Sequence, residues 1–105
     1  MAGSGKTKVH EAEEERRELI EQLVADEGPD WAGQYAPGSF GCHELLDRTA
    51  QIMDSVDRYL TSHPACLANP EWFALAHSSF SALFDLYQKV GAAHLPASPL
   101  SGPGD

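Results

Sequence analysis

Proline punctuation leaves this 105-residue chain only three runs long enough to become helices. An interior proline removes a backbone donor and clashes with the preceding turn, at a cost of about 3 kcal/mol. Pro29, Pro37, Pro64, Pro70 and Pro96 therefore confine helices to about 9–27, 40–62 and 70–94. In each run apolar residues recur three and four positions apart, the spacing of one face of an α-helix. The expectation is an all-α protein.

The second run places Cys42, Leu45, Leu46, Thr49, Ile52, Met53, Val56, Tyr59 and Leu60 along one stripe. Ser39 stands where a side-chain oxygen accepts from the first-turn amides. His63, before Pro64, is biased out of helical geometry and ends the run. In the third run Trp72, Phe73, Ala76, Phe80, Leu83, Phe84, Tyr87 and Val90 make a broad aromatic stripe. Asn69 is its N-cap, Pro70 fills the first helical position without wasting a donor, and Glu71 complements the helix dipole. Two stripes of matching length across a short loop predict an antiparallel helical hairpin.

The first run, 9–27, is an amphipathic helix whose apolar residues Leu19, Ile20, Leu23 and Val24 gather in its C-terminal half. Its start is polar, with Glu13 four residues before Arg17. Residues 28–38 read as a linker with a type II turn at Pro37-Gly38. Trp31, Tyr35 and the nearby Phe40 are costly to leave hydrated, so the linker is expected to lie on the hairpin. Residues 9–95 are expected to form a single helical domain, with flexible ends at 1–8 and 96–105.

A hairpin alone leaves part of each stripe uncovered. Either the first helix completes a three-helix unit, or a second copy makes a four-helix bundle, and the size of the aromatic stripe favours the dimer. The expected seam joins Trp72, Phe73, Phe80, Phe84 and Tyr87 to Ile52, Val56 and Tyr59.

A net charge of -9 opposes attraction to nucleic-acid phosphates or anionic lipid. No apolar run approaches the roughly 20 residues that cross a bilayer, and the N-terminus lacks a basic-then-apolar leader pattern. The sequence is read as soluble and cytoplasmic, with no direct nucleic-acid or membrane partner.

Candidate chemistry is sparse. Gly3-Ser4-Gly5-Lys6-Thr7 ends like a phosphate-binding loop but lacks its first glycine and the preceding strand. Cys42 and Cys66, at opposite ends of one helix, stand about 30 Å apart and cannot form an intrachain disulfide. Cys42, in a helical first turn beside His43, has features of a reactive thiol, although its place on the apolar stripe suits packing. The antiparallel hairpin brings 42–43 opposite 90–94, so Cys42, His43 and His94 are the candidate ligands for a metal such as zinc. Neither Glu44 nor Glu71 has a histidine three residues on, which excludes a di-metal carboxylate bundle, and no serine has a persuasive histidine and carboxylate.

The expected function is a small acidic protein–protein interaction or oligomerisation module without catalysis or cofactor, its partner a second copy or another protein. The alternative is a metal-binding or redox-sensing protein centred on Cys42 and His43. A further alternative is an inhibitor whose Glu13-Glu14-Glu15 arm competes for a basic nucleic-acid-binding protein.

Overall fold

The computed structural model describes residues 8–95, and every regular element in them is helical. The expected flexible ends, apart from Lys8, lie outside the described residues. The protein is all-α. The described residues divide into two compact units, 8–33 and 34–95.

In the first unit α1 spans Lys8–Glu27 and buries none of its residues. It stops at Gly28, whose φ of +93° suits a residue without a Cβ and whose N–H donates to the Val24 carbonyl at 2.8 Å. The Trp31 and Gly33 amides then donate to the Gly28 and Asp30 carbonyls, beginning a 3₁₀ turn over Trp31–Tyr35.

The second unit opens with the expected type II turn. Ser39 N–H donates to the Ala36 carbonyl at 2.9 Å, and Gly38, at φ +91°, takes the position that needs left-handed backbone. Helix α2, Phe40–Val56, follows directly, its Ser39 Oγ accepting from Cys42 N–H at 3.1 Å. Gly41 is required by closeness rather than by φ. A Cβ there would strike the Tyr35 ring and stand 2.7 Å from the Gln34 carbonyl oxygen. Tyr35, at the end of the linker, thus lies on the first turn of α2.

The expected helix to residue 62 continues past Val56, but Asp57–Thr61 form a π turn. The Thr61 and Ser62 hydroxyls donate to the Asp57 and Arg58 carbonyls at 3.2 and 2.7 Å, adding side-chain donors to this turn. Within the joint, read from sequence as irregular, Pro64–Leu67 make the one-turn helix α3. Its cap is His63, whose Nδ1 accepts from Ala65 N–H at 3.0 Å. Helix α4, Pro70–His94, starts at Asn69, whose Oδ1 accepts from the Glu71 and Trp72 amides at 3.0 and 3.1 Å.

Helices α2 and α4 pack against each other in opposite directions. At the open end the His43 and His94 rings lie 5.6 Å apart, and Gly38 N–H donates to His94 Nδ1 at 2.8 Å. One turn inward, Gly91 is buried, and a Cβ on it would sit 3.8 Å from Leu46 Cδ1, an ordinary contact.

The two glycines therefore respond oppositely to alanine. Gly91→Ala is expected to raise the unfolding free energy by about 0.5–1 kcal/mol through helix propensity, and Gly41→Ala to lower it by about 1–3 kcal/mol through overpacking. Urea unfolding followed by circular dichroism measures both.

Candidate interaction surface

The seam between α2 and α4 is thin. Cys42, Leu46 and Val56 are its buried apolar residues, joined by Thr49 and His94, and no described side chain is completely enclosed. Thr49 Oγ1 is satisfied locally, donating to the Leu45 carbonyl at 2.8 Å. On α4 the half-buried residues Phe73, Ala76, Phe80, Leu83, Tyr87 and Val90 follow a three–four repeat that faces the seam.

A second row lies one residue earlier. Trp72, Leu75, Ser79, Ala82 and Leu86 repeat the same three–four spacing on α4, and Leu45 and Ile52 stand one position before the inward Leu46 and Met53 on α2. One residue turns a helix by about 100°. For two antiparallel helices facing each other, that step carries both rows to the same side of the pair. The result is an apolar face of Leu45, Ile52, Trp72, Leu75 and Leu86, each 42–67% exposed.

Arg48, in the same row of α2, is already engaged by Glu44 at 3.0 Å. On α4 the charged neighbours of the face are Glu71 at one end, Asp85 beside Leu86, and Lys89 at the other end.

The opposite side differs in shape. A shallow groove of about 560 Å³ is lined by Asp57, Thr61, Leu67, Phe73, His77 and Phe80, beside exposed Phe84.

The structure divides the eight residues expected at a partner seam. Val56 is buried, while Phe73, Phe80 and Tyr87 turn toward the α2–α4 seam, so these four serve packing within the unit. Trp72 and Ile52 stand on the exposed face, Phe84 lies on the other side of α4, and Tyr59 projects from the π turn, 62% exposed. Leu45, Leu75 and Leu86 complete the exposed face. Their signal was present in sequence as a second three–four row: Leu75 and Leu86 lie outside the expected α4 stripe, and Leu45 falls within the α2 stripe.

His43 and His94 do approach each other, but Cys42, His43 and His94 do not gather as a metal site. Among the described residues no group of three or more His, Cys, Asp or Glu side chains could hold a metal ion. Cys42 turns into the seam, whereas His43 is one residue further round and exposed. His94 Nδ1 is occupied by the Gly38 amide, so this ring works as a structural acceptor. Cys42 and Cys66 are both free thiols, one buried and one half-buried.

The acidic run on α1 is partly neutralised from within. Glu13 accepts from Arg16 at 2.8 and 2.9 Å and from Arg17 at 3.0 Å. Hydrogen bonds from Arg16 and then Arg17 lower the Glu13 pKa from its ordinary 4.5 to about 2.

Comparison with protein-family models, with curated proteins and with solved structures finds no match for this chain. No helix among the described residues is long and apolar enough to cross a membrane.

Two outcomes follow from these contacts. His94→Ala leaves the Gly38 amide without its acceptor and removes a buried ring, and is expected to lower the unfolding free energy by about 1–3 kcal/mol in urea titrations. Because the Glu13 pKa is depressed in the folded chain, its contribution is present above the unfolded value of 4.5 and is lost as pH falls toward about 2. Carboxyl chemical shifts followed by NMR should place the Glu13 midpoint well below its ordinary 4.5, and Arg16→Gln should raise it.

Proposed function

We propose that residues 34–95 form a non-catalytic protein–protein interaction module, with its docking surface on the Leu45, Ile52, Trp72, Leu75 and Leu86 face. The supporting observation is that exposed apolar rows of α2 and α4 fall on the same side of the helix pair, beside a seam that encloses few side chains. Scattered exposed apolar residues are ordinary, but a row that crosses from one helix to the next marks a surface made to be covered. Trp72 supplies the kind of large, weakly polar anchor that dominates interface energetics.

A reducing, cytoplasmic setting accords with two free cysteines. The acidic-inhibitor reading has less support, because Glu13 is engaged by the arginines that follow it.

A photocrosslinking amino acid placed singly at Leu75 and at Ser81, on opposite sides of α4, tests the proposal in cells. The expected result is crosslinked protein from position 75 and little from position 81. Equal yields from the two positions, or none from either, would sink the reading.

A further inference from the structure

We infer that the occupant of this face is a second copy of the same chain, packed antiparallel so that α4 lies on α4 and α2 on α2. This rests on the interaction reading above and adds to it the identity and direction of the partner.

The reason is the self-complementarity of the row on α4. Trp72, Leu75, Ser79, Ala82, Leu86 and Lys89 follow the spacing of a coiled-coil seam, with its two small residues at the centre. Turned end for end about a dyad between Ser79 and Ala82, the row meets itself in matched layers. Leu75 opposes Leu86 of the second copy, Ser79 opposes Ala82, and Trp72 opposes Lys89. Small central residues let the helices approach closely, while the leucines fill the layers on either side.

The α2 row fits the same dyad. His43 beside His94 and Leu46 beside Gly91 fix the level of α2 against α4. The dyad that crosses α4 between Ser79 and Ala82 then crosses α2 near Val56. Ile52 of one copy then faces the Asp57–Thr61 turn of the other, from which Tyr59 projects, and both residues are exposed without a place in the unit's own seam.

Charge favours this occupant over a strongly acidic or basic one. The α4 edge of the face has two acids, Glu71 near its start and Asp85 beside Leu86, and one base, Lys89, near its end. An antiparallel copy brings each Lys89 over the Trp72 ring and beside Glu71 of the other chain, pairing opposite charges and adding cation–π attraction. A parallel copy would align like charges. Because Glu44 already holds Arg48, the α2 edge adds no uncompensated charge.

Sedimentation velocity of the full chain under reducing conditions, from low to high micromolar concentration, tests the inference. A concentration-dependent dimer is expected. Leu75→Glu and Ile52→Glu should each raise its dissociation constant about tenfold or more without loss of helicity. Lys89→Glu should weaken the dimer several-fold, and Glu71→Lys with Lys89→Glu should recover most of that loss, because the exchange restores opposite charges only across an antiparallel pair. The charge pair keeps the test decisive if a leucine variant fails to fold.

A monomer throughout the concentration range would overturn the inference, as would a dimer insensitive to both face variants. A double charge variant no tighter than Lys89→Glu alone would overturn the antiparallel arrangement. A monomer whose position 75 still crosslinks selectively to a different protein would remove the second copy as occupant and retain the interaction module. A monomer without crosslinks would remove both.

Discussion

Two helices side by side share one seam, and in the second unit that geometric limit governs what can be buried. Each helix turns roughly a third of its circumference toward the other, leaving the remaining surface for solvent or for a third element. Here the seam uses Cys42, Leu46, Thr49 and Val56 against the half-buried aromatics of α4. The next row of apolar side chains falls outside it. Exposed Trp72 and Leu75 are therefore a consequence of how many apolar positions α4 carries, and no local rearrangement brings both rows to one seam.

Local chemistry was the most legible part of the fold. Ser39 and Asn69 cap α2 and α4 because each presents a short side-chain oxygen to first-turn amides. Pro37-Gly38 makes its turn because Gly38 accepts positive φ. These interactions span only a few residues, so the sequence contains both partners at fixed separation. The His43–His94 proximity was also legible, since antiparallel pairing relates residues near 43 to those near 94.

Less legible were the features whose partners are set by packing. The π turn at Asp57–Thr61 is written in no single residue, although the hydroxyls of Thr61 and Ser62 support it. Which of Trp72 and Phe73 faces inward depends on how α4 is rotated against α2, and periodicity tolerates either. The role of His94 was likewise hidden: a buried imidazole accepting from a backbone amide looks, in sequence, like a candidate metal ligand. Of the candidate site, Trp72 and Ile52 were identified; Leu45 needed the rotation to distinguish it from core, and Leu75 and Leu86 lie outside the stripe expected on α4.

The bond from Gly38 to His94 also settles where the chain enters and leaves this pair of helices. The backbone preceding α2 and the final turn of α4 meet within one hydrogen bond, at the end away from α3. Entry and exit are neighbours, so the geometry is that of a peninsula attached at a narrow neck. Such a segment fits into a surface loop of a larger scaffold without stretching either connection. The same closeness makes it suited to circular permutation, with a short bridge joining the old ends and new ends opened in the joint around α3.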